Sequence, residues 1–370
     1  TVNNTDGTCT ANLTNRTNKR LTINGAMTIA QRGSSSTIDG YGSIDRFRSN
    51  LAGCDENPTQ SQSDVASGTT PYTLGFRKAF KFTNGNQTSG AGTTVCVAIL
   101  HRIEAQDIAN SGWNYTDSNS KLTLSFWCKS SVAQNFYGFF RTQDGTSQLN
   151  AFETGSLTAD TWTKVTKTIT GDSNLQFDSN NDTGLDIEFT MFRGTDRTGT
   201  LTLNQWAAYN TNVRVPDMTS TWYTTNDATF EITGVQLEVS DHATSFEFLS
   251  FADELRRCKR YYRILQDASG GACYMGAVAY NYDGNTVVVQ VNFETEMRAT
   301  PTLDNTSGTN YYRFYRNSSY VDINAFNSIS GMTKYGGAFN NSDSGSGTAG
   351  QAGAVVLNNT AAKLAFDAEL

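Results

Sequence analysis

Few side chains in this sequence are spaced for catalysis. The two histidines lie apart, His101 in a strand-like apolar run and His242 in a turn-like segment. Neither accompanies a GxSxG nucleophile elbow or a recognisable cysteine nucleophile, and no Walker A loop is present. The neighbouring acids Asp253 and Glu254 do not, by their spacing, predict the opposed carboxylates of a glycosidase. We therefore expect a protein that is not an enzyme.

Aromatic side chains offer a second kind of chemistry, the stacking of flat rings on the C–H faces of sugars. Five tryptophans and 16 tyrosines are present, and many fall in turn-like stretches rich in Asn, Asp and Thr. The sequence predicts glycan contacts at Trp113, Tyr115, Trp206, Tyr209, Trp222 and Tyr223. Two alternatives stay open, because such rings also close the ends of β-sandwiches or pack against another subunit. A second polar–aromatic cluster, with the same alternatives, consists of Tyr311, Tyr312, Tyr315 and Tyr320.

One acidic segment, DSNNDTG, resembles the beginning of a calcium-binding loop. Asp178, Asn180 and Asp182 place oxygen ligands at alternate positions, as calcium loops do. The glycine comes one place late, and Phe189 stands where an EF-hand has its last carboxylate ligand. A solvated turn is therefore the alternative to a Ca²⁺ site. No other cofactor is expected.

Composition limits the partners that the chain can bind. It has 28 basic and 35 acidic side chains, a net charge of −7, and no long basic block. Such a chain is a poor binder of nucleic acid or anionic membranes, and no apolar run of about 18 residues predicts a transmembrane helix. The cysteines form no zinc-like spacing and favour a reducing compartment, although disulfides stay open. They are Cys9, Cys54, Cys96, Cys128, Cys258 and Cys273.

The elements that position these side chains are predicted to be β-strands. In KLTLSFWCK, Leu122 and Leu124 fall on one face and Trp127 on the other, a period of two that is typical of half-buried strands. About eight such runs without intervening helices predict a jelly-roll β-sandwich over 21–249. The clearest runs are Thr73–Phe82, Thr94–Ile103, Lys121–Lys129, Asn135–Thr142, Thr161–Thr170, Leu185–Phe192 and Thr229–Val239.

One segment, SFADELRRCKRYYRIL, has a helical period instead. Ser250 begins it with a capping-box-like pattern, and Leu255, Cys258 and Tyr262 recur at steps of three and four. We therefore predict a linking helix over 250–265, whose apolar residues Leu255, Cys258 and Tyr262 are expected to lie in a subunit interface. Further alternating runs predict a C-terminal β-sandwich over 266–370, so the fold class is all-β. Residues 1–20 lack a period and predict an extended N-terminal arm.

Several motifs resemble a group of bacteriophage tail-fibre and receptor-binding proteins. LTINGAMTIAQRGSSS followed by GYGSIDRF is similar to their INGAM-x-x-x-QRG start and Y-x-x-DRF step. The segments DTGLDIEF, NQWAAYN and EMRATPTL are similar as well. The most specific match is FEITGVQLEVSDHATSFEFLSFADELRRCKRYYRI, which in that group closes a jelly roll resembling carbohydrate-binding modules. The resemblance spans about 20–370, but it transfers no glycan-binding residues.

The resemblance implies a virion protein, assembled in the host cytoplasm as a homotrimer and joined to other virion proteins through the arm. Its implied function is that of a tail fibre or receptor-binding subunit, attaching without catalysis to host cell-surface polysaccharide or lipopolysaccharide. Two alternatives stay open. The first is a structural virion component such as a capsid decoration protein, a head fibre or a tail-assembly protein, and the second is a polysaccharide depolymerase.

Overall fold

Antiparallel β-sheet makes up most of the regular structure in the computed structural model, which describes residues 19–342 and 346–370. The all-β prediction is thereby confirmed. The arm expected over 1–20 lies outside the described residues, apart from Lys19 and Arg20. Within these described residues, no helix has the length and apolar character needed to cross a membrane.

The first sandwich consists of two six-stranded sheets. One has the order β1-β3-β4-β12-β6-β9 and the other the order β11-β8-β7-β10-β5-β2. The strands are β1 Ser35–Ser36, β2 Phe47–Ala52, β3 Thr59–Asp64, β4 Lys78–Thr83, β5 Cys96–Glu104, β6 Lys121–Ser130, β7 Asn135–Thr142, β8 Gln148–Ser156, β9 Thr163–Thr170, β10 Thr183–Arg193, β11 Trp206–Ala208 and β12 Thr229–Glu238. Helices are short and lie in the connections: α1 Thr70–Thr73, α2 Ala105–Ala109, a 3₁₀ turn Thr195–Arg197 and α3 Thr221–Thr224.

Alternation along the strands builds the core between these sheets. On β6, Leu124 and Phe126 are buried in the core, while Trp127 belongs to the opposite face and is only half-buried. The ring of Phe126 meets that of Phe189, on β10 of the facing sheet, with centroids 4.9 Å apart. Cys128 follows on the buried face, as a small apolar side chain would.

The linking helix is shorter than predicted. Helix α4 spans Phe251–Cys258, and the Ser250 hydroxyl caps it by accepting from the Asp253 amide at 3.2 Å. Strand β13 begins at Tyr262, so a helix reaching 265 is wrong. The Tyr-, Ile- and Leu-containing run after the helix favours extended backbone, and here it pairs with another strand.

This shortening also corrects the predicted subunit interface. Cys258 and Tyr262 are fully buried within the single chain, so neither is available to a neighbouring subunit. Cys258 packs with Ile23 and Tyr261, and Leu255 lies half-buried against the same cluster. The apolar stripe read from the sequence therefore faces this chain's own interior.

The second sandwich follows α4. A three-stranded sheet has the order β13-β23-β17, and a larger sheet has the order β19-β18-β22-β15-β16-β21-β20, with β14 also paired to β22. The strands are β13 Tyr262–Asp267, β14 Cys273–Tyr274, β15 Val278–Asn281, β16 Val287–Asn292, β17 Thr302–Asn305, β18 Tyr312–Arg316, β19 Ser319–Ile323, β20 Ser328–Thr333, β21 Gly336–Asn341, β22 Ala352–Leu357 and β23 Lys363–Asp367. Tyr312, Phe314, Phe339 and Phe366 contribute to its core.

Residues of the INGAM, DRF and ADELRRCKRYY segments meet the C-terminal Glu369 in one buried region, which we call the junction (Asn24, Arg46, Glu254, Tyr261 and Glu369). The Asn24 amide donates to the Glu254 carboxylate of α4 at 2.5 Å. The Arg46 guanidinium lies 3.5 Å from the ring centroid of Tyr261 and pairs with Glu369. These motifs therefore join the first sandwich, helix α4 and the last residues of the chain.

Candidate functional site

Three of the six aromatic residues predicted to contact glycan are in the core. Trp113, Trp222 and Tyr223 are at most 3% exposed. The Trp222 indole donates to the Thr229 carbonyl at 3.0 Å, and the Tyr223 hydroxyl donates to the Gln87 side chain at 2.9 Å. The polar ends of Trp222 and Tyr223 are thus satisfied inside the sandwich, and no sugar can reach the faces of the three buried rings. The glycan role is wrong for these three, and they belong to the interior of the sandwich.

The other three are half-buried, and two of them border the turn at 170–172. Tyr115 packs against the first core. Trp206 stands on the edge strand β11 and donates its indole N–H to the Thr170 carbonyl at 2.9 Å. Tyr209 lies over the outer face of the second sheet, with the Arg141 guanidinium 3.9 Å from its ring centroid. Tyr209 is thus set apart from Tyr115 and Trp206.

The segment proposed for calcium is a turn that caps a helix. The carbonyls of Asn180 and Asp182 accept from the amides of Gln106 and Ala105 at the start of α2. The Asn180 side chain accepts from the Asp182 amide at 3.0 Å, and Asp178 is exposed. In the described part of the chain, no group of three or more His, Cys, Asp and Glu could hold a metal ion. The side-chain geometry therefore gives the calcium prediction no support.

A groove of about 500 Å³ lies on the outer face of the first sheet. Trp127 of β6 and Lys164 of β9 stand opposite each other in register on its floor, next to Ser125. The wall comes from residues 243–246 and 248 and from the turn after α1. The lining side chains are mainly aromatic, aliphatic or hydroxyl-bearing: Leu74, Phe76, Ser125, Phe126, Trp127, Lys164, Ala243, Thr244, Ser245, Phe246 and Phe248.

Three phenylalanines shape the apolar side of the groove. The ring centroids of Phe76, Phe246 and Phe248 lie 4.8 to 5.1 Å apart. Phe76 is buried and fixes the cluster, whereas Phe248 is 49% exposed and Leu74 beside it 53%. Large apolar side chains at such exposure on one concave surface are a feature of binding sites.

Two buried polar side chains hold the wall in place. The Glu238 carboxylate accepts from the Thr244 amide at 2.9 Å and from its hydroxyl at 2.7 Å. The Gln236 carbonyl oxygen accepts from the Glu247 amide at 2.8 Å. Both side chains are at most 2% exposed although they stand on the outer face of β12, because residues 244–247 cover them. These bonds make the wall a defined surface.

A β-bulge in β12 aims these two side chains at the wall. The register between β12 and β6 shifts between Thr233 and Gln236, with Gly234 in the shifted stretch. Gly234 has a φ of +66°, and a Cβ there would lie 2.7 Å from the Phe76 ring. Glycine is therefore required both by the backbone conformation and by the close approach of this ring.

The charges around the groove are few. Lys129 pairs with Glu231 at 2.8 Å, and its ammonium lies 5.3 Å from the ring centroid of Trp162 at the edge of the same sheet face. Lys164 is exposed and brings one positive charge to the groove, and the Lys19 ammonium brings a second where it donates to the Ser245 carbonyl at 3.1 Å. The groove thus offers aromatic stacking, hydroxyl hydrogen bonding and two cations.

Trp127 is a site residue that sequence reasoning left without a role. The alternation in KLTLSFWCK already put it on the polar face of β6, beside Thr123 and Ser125. A large ring on an otherwise polar strand face was the available signal. Phe246 and Phe248 also alternate in the SFEF segment, but their wall position depends on the bulge at Gly234 and could not be read from spacing.

No protein-family model and no curated protein sequence matches this chain. Three similar solved structures can be described. The enzymatically active domain of tailspike protein 4 of bacteriophage CBA120 is 9% identical with a TM-score of 0.32, over 60% of this chain and 22% of that one. The N-terminal cellulose-binding domain of Cellulomonas fimi β-1,4-glucanase C is 12% identical with a TM-score of 0.28, over 58% of this chain and 100% of that one.

The third is the family 11 carbohydrate-binding module of Clostridium thermocellum in complex with a β-1,3-1,4-mixed-linked tetrasaccharide. It is 11% identical with a TM-score of 0.27, and the match covers 57% of this chain and 98% of that one. This chain thus spans about a fifth of the length of the tailspike domain, whereas it spans nearly the whole of the two binding modules.

Proposed function

We propose that the groove on the outer face of the first sheet binds carbohydrate. The observation that carries this proposal is the position of Trp127, half-buried on the floor of a concave groove whose rim presents Phe248. A fixed indole and a neighbouring phenyl ring can stack on sugar C–H surfaces. Ser245 and Lys164 can then bond the sugar hydroxyls, as the few polar groups of a small-molecule site do.

Binding is proposed to occur without turnover. The residues that line the groove in the described chain include no carboxylate and no histidine. Hydrolysis of a glycosidic bond ordinarily needs two carboxyl groups on opposite sides of that bond. The groove composition therefore favours attachment over cleavage.

The proposed setting is a bacteriophage virion, in which the chain acts as a tail fibre or receptor-binding subunit on host cell-surface polysaccharide or lipopolysaccharide. Support comes from the shared motifs, whose residues Asn24 and Arg46 build the junction. A homotrimer would present several grooves at once and so raise avidity. Because Cys258 and Tyr262 are buried, the trimer contact must use other residues.

A glycan array of bacterial surface polysaccharides and neutral oligosaccharides tests the binding proposal. We expect the purified full chain to bind at least one glycan, and Trp127→Ala to bind it at least tenfold more weakly. Tyr335→Ala is the matched control, because Tyr335 is 60% exposed on the second sandwich, and it should bind normally. Equal binding by Trp127→Ala, or no glycan bound by the wild type, would contradict the proposal.

Two further measurements test the remaining parts. Incubation with the bound polysaccharide should release no reducing ends above the Trp127→Ala background, and steady release would show an enzyme. Antibody labelling of intact particles should place the chain on the tail. Labelling on the head shell would favour a structural virion component.

A further inference from the structure

The second sandwich carries a row of exposed tyrosines that the groove does not use. Tyr274, Tyr315 and Tyr320 are 67%, 36% and 53% exposed. The ring centroids of Tyr274 and Tyr315 lie 6.3 Å apart, and those of Tyr315 and Tyr320 lie 5.7 Å apart. We call these three residues the tyrosine row. They stand on β14, β18 and β19, so the row crosses the sheet rather than following one strand.

The strand pairing explains why three large rings form a row. Tyr315 and Tyr320 are directly opposite each other on β18 and β19. On the other side, Tyr315 pairs with Ala354 of β22, which also pairs with β14. Tyr274 pairs with Val356, two residues along β22 from Ala354, so Tyr274 and Tyr315 lie diagonally across this strand on one face. Tyr312 and Phe314 alternate with Tyr315 along β18 and are buried in the core on the opposite face of the sheet. Their packing fixes the strand that carries Tyr315.

An ion pair lies beside the rings and supplies polar groups without net charge. The Arg313 guanidinium donates to both oxygens of Asp322, at 2.6 and 3.0 Å. It also lies 4.0 Å from the ring centroid of Tyr320. This bidentate geometry fixes the guanidinium beside the ring, and the pair adds no net charge to the surface.

We propose that the tyrosine row is a second carbohydrate site, which binds a neutral extended saccharide independently of the groove. Rings spaced by about the length of one sugar residue can stack on successive sugars. The tyrosine hydroxyls, Arg313 and Asp322 can bond the sugar hydroxyls. Since Arg313 and Asp322 neutralise each other, the surface complements a neutral ligand better than a polyanion.

The size of the surface favours a saccharide over a protein partner. A stable protein interface buries about 800 Å² on each partner, around a large apolar centre. Three rings in a line, flanked by the charged pair Arg313 and Asp322, provide much less apolar area than that. An elongated chain of small units can instead contact all three rings in sequence.

The test uses the full chain with the groove weakened by Trp127→Ala, so that the two sites are read separately. A panel of linear neutral hexose oligosaccharides is titrated by saturation-transfer NMR and calorimetry. We expect residual binding in the Trp127→Ala chain and at least a tenfold loss when Tyr274→Ala and Tyr320→Ala are added. Tyr282→Ala is the matched control, because Tyr282 is also 67% exposed but lies in the turn after β15.

Three results would overturn this proposal while leaving the groove proposal untouched. The first is no residual binding in Trp127→Ala, and the second is unchanged binding after loss of Tyr274 and Tyr320. The third is a fall in oligomer mass on light scattering in the Tyr274→Ala/Tyr320→Ala chain, which would make the row a subunit contact. Tyr320→Phe should keep the stacking and most of the affinity, which separates lost contact from lost folding.

Discussion

Arg46 and Glu369 form a buried ion pair between two parts of the chain that are more than three hundred residues apart in sequence. The Arg46 guanidinium also donates to the Arg102 carbonyl at 2.6 Å and covers the ring of Tyr261. Arg32 approaches the same Glu369 carboxylate at 3.2 Å. The end of the described chain is therefore locked into the first sandwich through charge-assisted hydrogen bonds.

Loss of the Glu369 charge should destabilise the protein strongly. Glu369→Gln leaves the Arg46 and Arg32 guanidiniums buried beside a neutral amide, and breaking such a pair costs about 3–5 kcal/mol. Equilibrium urea unfolding measures the change. Arg256→Ala is the control, because Arg256 and Asp253 form an exposed pair that contributes less than about 1 kcal/mol. If both substitutions lower the free energy of unfolding by similar amounts, the junction does not contribute the predicted stability.

His101 should make the protein less stable in mild acid. Burial, followed by the positive charges of Arg46, Arg20 and Arg257, lowers its pKa well below the usual value. The folded state keeps His101 neutral while the unfolded chain takes up a proton below about pH 6.5, so stability falls as pH decreases from there. The loss approaches about 1.4 kcal/mol for each further pH unit until the folded pKa is reached.

Unfolding measured between pH 7 and 5 tests this effect. His101→Gln should reduce the pH dependence of the unfolding free energy, because it removes the buried imidazole. Asp45 acts in the opposite direction: burial raises its pKa to about 6, so it favours folding as pH falls from 6 towards 3.8. The difference between wild type and His101→Gln isolates the histidine. An identical slope in both proteins would contradict the prediction.

Gly234→Ala should damage both the fold and the groove. A methyl group there meets the Phe76 ring and stands on a backbone with φ of +66°, so we expect a loss of more than about 1 kcal/mol in unfolding free energy. Carbohydrate binding should weaken too, because the bulge aims Gln236 and Glu238 at the wall. Gly276→Ala, which has open space around it, is the control and should stay within about 0.5 kcal/mol of wild type.

The rate at which each cysteine thiol is alkylated should depend on how deeply it is buried. Cys54, Cys96, Cys128, Cys258 and Cys273 are free within the described part of the chain. Burial raises the pKa of Cys96 and Cys128 to about 12, which keeps both thiols neutral and unreactive. Peptide mapping after brief alkylation of the native protein should find the half-buried Cys54 and Cys273 modified first. Equal labelling of Cys128 would show that the core opens readily.

The strands were predictable because their periods are local. Strand Asn135–Thr142 matches a run predicted from the sequence, residue for residue. The expected strand Thr73–Phe82 begins only at Lys78, because the chain first completes α1 and turns at Gly75 with a φ of +104°. The β-strand Gln148–Ser156 was not predicted, since its sequence QLNAFETGS has only a weak apolar alternation.

The candidate sites could not be predicted from the sequence, because they are formed by contacts between residues that are far apart in the chain. Trp222 stands in a polar, turn-like stretch and Trp127 in an alternating strand, yet Trp222 is buried and Trp127 lies on a groove floor. The Trp222 indole N–H donates to the Thr229 carbonyl inside the sandwich, and this hydrogen bond allows the tryptophan to be buried. Tyr312 and Tyr315 differ in the same way, because three steps along a strand reverse the face.

Calorimetric titration of the tightest array glycan against two tryptophan variants tests the central claim most directly. Trp127→Ala removes the floor of the groove, whereas Trp206→Phe alters a ring on an edge strand away from it. The account predicts at least a tenfold rise in Kd for Trp127→Ala and a Kd within twofold of wild type for Trp206→Phe. A wild-type Kd in Trp127→Ala, together with lost binding in Trp206→Phe, would contradict it.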